Sequence, residues 1–117
     1  MATRKEILKH RDKWILALED TVEMYGSCIE QKSIVPFEEM DCRFCALTHG
    51  LKLDMYADAC EYCIHDSPYT KVQHCMDDPG FVGIFYAKQY SDKIEEALKG
   101  RITYHMNLIR KLKRAKI

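Results

Sequence analysis

Five of the six cysteines, Cys42, Cys45, Cys60, Cys63 and Cys75, fall within one stretch of thirty-four residues, and only Cys28 lies outside it. The first four form two Cys-x-x-Cys pairs, CRFC and CEYC, with fourteen residues between them. A pair on one tight turn offers two corners of a tetrahedron, and two pairs offer four, the donor set of a closed structural zinc site. The separation falls just under the window of roughly 15–20 residues usual between such pairs. One Zn2+ is expected, held by Cys42, Cys45, Cys60 and Cys63, with Cys75 as the substitute for Cys60 or Cys63. His49, His65 and His74 lie in the same stretch and, with Cys75, would complete a second set of four ligands, although local histidines are more often solvated than ligating. An iron–sulfur cluster also takes four cysteines. A thioredoxin-like redox motif requires a βαβ setting that this sequence does not offer. Cys28 reads as a small buried hydrophobe.

Metal binding presupposes reduced thiols. The first residues, MATRKEILKHRDKW, carry charge in every turn and no apolar run of the kind that opens a signal peptide. No stretch approaches the roughly 20 apolar residues that span a bilayer. The expected setting is therefore cytoplasmic, with no membrane partner, and there the cysteine pattern favours a metal over a disulfide framework.

Two long helices are predicted to position this cluster. Thr3 and Glu6 form a capping box. Leu8, Ile15, Leu18, Val22, Tyr25 and Ile29 then recur on one face, with Trp14 beside them. This predicts a helix over about 3–26, with a ragged turn to 32 before Pro36. Asp78 and Pro79 read as N-cap and N1 of a second helix. Its stripe runs from Ile84 through Ile94, Leu98, Ile102, His105 and Ile109 to Leu112 and keeps phase across Gly100. One helix of about 79–114 is expected, or two nearly coaxial pieces broken at Gly100. The fold class is mainly α: a single domain over 1–117, with an N-terminal helix (3–32), an irregular zinc-stapled segment (33–78) and a C-terminal helix (79–117), the long helices packed antiparallel. A closed zinc site supplies on the order of 10–16 kcal/mol of apparent binding energy, so the cluster replaces a core that 33–78 cannot build by packing.

Net charge is zero, but the zero hides an asymmetry. Residues 99–117 hold seven Lys and Arg and no acid, whereas residues 19–66 hold eleven acids and three bases. The tail bases Arg110, Lys111, Lys113, Arg114 and Lys116 suit a helix C-terminus and equally suit a polyanion. If the helices are antiparallel, Arg4, Lys5, Lys9, Arg11 and Lys13 join them in one patch.

The order of Trp14, CRFC, CEYC and Ser67-Pro68-Tyr69 before a C-terminal helix resembles a loose group of small phage-encoded CxxC…CxxC zinc-binding proteins. The second pair here lacks a following Pro, and Cys75 comes late. The resemblance implies a viral accessory protein in the host cytoplasm and little chemistry. No phosphate loop, nucleophile elbow or HExxH is present, and an all-cysteine site leaves no open coordination position. The acidic DMYADACEYC reads as a solvated loop. The expectation is a non-enzymatic, zinc-stabilised interaction protein that binds a host protein, as an inhibitor of a defence system or a transcription factor, with homodimerisation through the long helices as a further route. The second expectation is a zinc-containing nucleic-acid-binding module that uses the basic C-terminal helix.

Overall fold

A computed structural model describes residues 3–39, 47, 50, 64, 67–70 and 79–116. Among these the architecture is helical and holds no strand. Five helices follow in order: α1 (Arg4–Lys9), α2 (Arg11–Gln31), α3 (Val35–Glu39), α4 (Pro79–Phe85) and α5 (Asp92–Arg114). The frame is the long pair α2 and α5, with α3 against α2 and α4 against α5.

The expected N-terminal helix is present with two differences. The Thr3 hydroxyl accepts from the Glu6 amide and the Glu6 carboxylate accepts from the Thr3 amide, both at 3.2 Å, so the capping box forms. The helix then breaks at His10, whose amide closes α1 on the Ile7 and Leu8 carbonyls and whose own carbonyl opens α2. At the other end Gly26 and Ser27 do not stop α2. It runs to Gln31, where Lys32 turns left-handed (φ 51°, ψ 47°) and the Ser33 amide reaches back to the Cys28 carbonyl at 3.0 Å, a closure that satisfies the last carbonyls. Pro36 opens a helix rather than ending one: the Ser33 hydroxyl accepts from the Val35 amide at 3.1 Å and α3 follows. Proline is tolerated there because its missing N–H falls among the unpaired amides of a first turn.

The single helix expected over 79–114 is two, and the break is not at Gly100. α4 ends at Phe85, and α5 begins after Ser91, whose hydroxyl caps the Ile94 amide at 3.3 Å. Gly100 lies inside α5. Ser91 falls in phase with the apolar stripe, three residues before Ile94, but a serine competes for backbone amides and favours an N-cap over a helix interior. The expected irregular, zinc-stapled segment lies largely outside the described residues.

The long helices are antiparallel. Near the start of α2, Ile7, Leu8, Trp14, Ile15, Ala17 and Leu18 share one apolar cluster with Leu108, Ile109 and Leu112 from the end of α5. Near the end of α2, Tyr25, Cys28 and Ile34 share a second cluster with Ile84, Ile94 and Leu98. The Arg11 guanidinium donates to the Ala115 carbonyl at 2.9 Å at one end, and Lys32 faces Glu95 at 3.9 Å at the other.

Most of both expected stripes is buried, Leu8, Ile15, Leu18 and Tyr25 on one side and Ile94, Leu98, His105, Ile109 and Leu112 on the other, but at three positions the seam shifts by one residue. On α2 the seam runs Trp14, Leu18, Thr21, Tyr25, Cys28, while Val22 and Ile29 are only half-buried. On α5 it runs Ile94, Leu98, Arg101, His105, Leu108, Leu112, while Ile102 is half-buried. Each alternates steps of three and four, the pattern of helices packed knobs into holes. Two polar residues, Thr21 and Arg101, therefore stand in the seam where hydrophobicity alone would place Val22 and Ile102, and His105 holds its expected place beside them.

Candidate functional site

The expected zinc ligands Cys42, Cys45, Cys60, Cys63 and Cys75 lie outside the described residues, as do His49, His65 and His74. Among the described residues no group of three or more Cys, His, Asp or Glu is placed to hold a metal ion. Their flanks are placed. Leu47, two residues after the first pair, packs against the first apolar cluster, and Ile64, directly after the second pair, is wholly buried in that same cluster. The turn that follows is built from local hydrogen bonds. The buried Ser67 hydroxyl donates to the Ile64 carbonyl and accepts from the Tyr69 amide, and the Thr70 amide returns to the Ser67 carbonyl at 3.1 Å. Ser at the first position and Pro68 at the second suit such a turn. The Tyr69 hydroxyl accepts from Arg4 at 3.2 Å, which ties the turn to α1. Four thiolates in two such pairs would fit zinc, and the chain after each pair is anchored to one surface.

Cys28 is buried and free, with its thiol 4.0 Å from the Met24 sulfur. Burial pushes that thiol up from its ordinary pKa, with a hydrogen bond from the Phe37 backbone acting weakly the other way. It is the small hydrophobe expected of it.

The polar layer between the two clusters was not expected. Thr21 is satisfied within its own helix by the Ala17 carbonyl at 2.8 Å. Arg101 is 4 % exposed; its guanidinium is 3.3 Å from His105 Nε2 and lies over the rings of Tyr104 at 5.0 Å and Phe81 at 5.6 Å. Because an arginine only donates, a hydrogen bond between the two takes Nε2 of His105 as its acceptor. The His105 ring stacks on Tyr25 at 5.7 Å. Arg101 belongs to this buried layer and not to the exposed basic tail. Its step of three from Leu98 and four to His105 was the available signal.

From that layer a row of rings runs outward: Tyr25 to Phe37 at 6.3 Å, Phe37 to Phe81 at 6.0 Å, Phe81 to Phe85 at 5.8 Å and Phe85 to Tyr86 at 5.1 Å. The row ends in solvent, with Phe85 50 % and Tyr86 68 % exposed and Val35 of α3 also exposed.

At the other end, antiparallel packing gathers the bases as anticipated. Arg4, Lys5, Lys9, Arg11 and Lys13 come from α1 and the start of α2, and all but the half-buried Arg11 are exposed. Arg110, Lys111, Lys113, Arg114 and Lys116 come from the end of the chain and are all exposed. Arg11 and Lys113 line one shallow depression of about 430 Å³ with Asp12, Ile15, Leu16 and Glu19. His10 lies among these bases, and its pKa is lowered by burial first and then by Lys9 and Lys13.

No protein family, curated protein or solved structure matches the chain. No helix among the described residues is long and apolar enough to cross a membrane.

Proposed function

We propose that the chain is a non-enzymatic, zinc-stabilised interaction protein, a small viral accessory protein that binds a host protein. The observation that carries this reading is the aromatic row ending in Phe85 and Tyr86. Large apolar side chains left in solvent at the end of a packed series of rings are the kind of anchor that dominates protein interfaces. The two Cys-x-x-Cys pairs would stabilise the scaffold behind it, and the burial of Leu47 and Ile64 in one cluster supports a common site for both pairs. In this reading Cys42, Cys45, Cys60 and Cys63 hold one Zn2+, with Cys75 as the substitute ligand, and the metal supplies folding energy rather than reactivity.

The test is capture from host extract by the intact chain and by a Phe85→Ser, Tyr86→Ser variant, both substitutions lying at exposed positions. A host protein retained by the first and lost by the second supports the reading. Equal capture by both, or none by either, refutes the aromatic face as the anchor.

A further inference from the structure

The two ends of the helix pair differ in charge. α1, the first turns of α2 and the residues from Arg110 onward bring ten Lys and Arg to one end, against three acids among the described residues there, Glu6, Asp12 and the Glu19 that lines the depression with Arg11 and Lys113. Both ion pairs among the described residues, Lys32 with Glu95 and Lys99 with Glu95, stand at the opposite end and use none of these ten. The C-terminal pole of α5 is offset by a few cations in its last turn; ten exceed that need. Four of them, Arg4, Lys5, Arg11 and Lys13, lie in the first turns of α1 and α2, where the helix dipole is positive and would disfavour them.

We infer that this basic end is a composite binding surface for double-stranded nucleic acid, formed jointly by the start and the end of the chain. The zero net charge does not oppose it. Charges are screened over about 8 Å at physiological ionic strength, so acids at the far end, such as Glu96 roughly 26 Å along the α5 axis from Lys113, do not reach a phosphate bound here. The acids that bear on it are those held nearby, including any carried by the segment that Leu47, Ile64 and Tyr69 anchor to this end. A phosphate backbone at the basic end meets the local field and not the sum over the chain. The chemistry at this end also selects among anionic partners. A protein interface needs a cluster of apolar anchors; Val35, Phe85 and Tyr86 belong to the other half, and among the described residues this half exposes only Leu16, in the depression beside Arg11 and Lys113, and Met106. Single strands are held by stacking on exposed rings, and among the described residues the rings near this end, Trp14, Tyr69 and Tyr104, are buried or half-buried. What is left is cations on flexible stems, which is what duplex phosphates require. This surface goes beyond the aromatic one and is independent of it. It rests on the nucleic-acid reading of the basic tail and extends it to α1 and α2.

The test is fluorescence anisotropy of the intact chain with a short labelled duplex between 50 and 200 mM salt. Contacts to about four to six phosphates should weaken binding on the order of 10²–10³-fold across that range. Removing Lys5, Lys9 and Lys13 to Ala, or separately Lys111, Lys113 and Lys116 to Ala, should each flatten the salt slope by about 2–3. Lys88→Ala with Lys93→Ala, at the far end, should leave it unchanged. All eight positions are exposed, and circular dichroism of each variant confirms its helix content. If the Lys5, Lys9, Lys13 variant binds like the parent while the tail variant does not, the composite surface is wrong and a tail-only anchor stands. Absence of duplex binding by the parent at 50 mM salt overturns both. Equal affinity for a single strand, or binding to anionic vesicles but not to the duplex, overturns the choice of partner.

Discussion

Leu18 and Trp14 show what one side chain contributes to this fold. Leu18 has no exposed surface and stands in the seam beneath Trp14. Leu18→Ala is expected to cost about 2–5 kcal/mol, the range for emptying a fully packed leucine site, read as a fall in the denaturant midpoint at unchanged slope. An effect under half a kcal/mol would mean that the α2–α5 contact is absent in solution. A second residue-scale device is the hydrogen bond from the Tyr90 hydroxyl to the Glu95 carboxylate, both groups half-buried. The bond lowers the pKa of Glu95, with Lys99 and Lys32 adding to it, while burial and the same bond push Tyr90 up to about 12. A lowered carboxyl pKa stabilises the fold above its unfolded value near 4.5, and that stabilisation is lost as pH falls through the folded value. A raised phenol pKa stabilises below its unfolded value of 10.0, and that share is lost as pH rises from there through about 12. Tyr90→Phe should therefore lower stability at neutral pH, and the difference from the parent should shrink on acidification below about pH 4. A difference constant from pH 3 to pH 7 would refute the coupling.

Each helix is shaped by a few residues that set its ends and leave its middle free. Gly26 and Gly100 both lie inside long helices, and a Cβ added at either would meet nothing within 4 Å. Neither glycine is required by packing or by a left-handed backbone. Gly26→Ala and Gly100→Ala should each stabilise by about 1 kcal/mol through helix propensity, measured as a rise in Tm. Destabilisation at Gly100 would mean that α5 is broken there in solution. Ser91 has the opposite character: Ser91→Ala removes the cap of α5 and should cost about 1 kcal/mol. The polar layer of Thr21, Arg101 and His105 divides the seam into two apolar clusters, and a polar position of this kind fixes the register of paired helices at some cost in stability.

At the scale of the molecule, α2 and α5 form a rod with an aromatic outlet on one half and a basic end on the other. The segment between them carries the cysteines. If that segment is stapled as the spacing indicates, about one zinc per chain should be found by elemental analysis of reduced, untagged protein. Cys45→Ser should then lose the metal and the order of the middle segment, because three ligands bind far more weakly than four. Hydrogen exchange would read this as lost protection around Leu47 and Ile64 with α2 and α5 unchanged. Metal-free protein with full protection there would refute the staple.

The sequence by itself determined that the fold is mainly helical and that two long amphipathic helices pair, but not every helix boundary. Capping at Thr3, the 3–4 spacing of large apolar residues and the burial of Trp14, Leu18 and Cys28 are local or nearly local matters, set by backbone geometry and hydrophobicity. It also carried the basic end, because antiparallel packing of two such stripes leaves nowhere else for those lysines and arginines. Tertiary structure decided which residues on each stripe form the seam. Hydrophobicity favoured Val22 and Ile102, but the interior takes Thr21, which finds the Ala17 carbonyl, and Arg101, which finds His105 and two rings. A polar side chain can be buried only where partners satisfy it; here most lie one turn away on the same helix, Ala17, Tyr104 and His105, but which face turns inward is decided by the helix packed opposite, and a one-dimensional pattern does not contain that choice. The break at Ser91 was hidden for a related reason: the apolar spacing stayed in phase across it, so the capping hydroxyl alone marked the new helix.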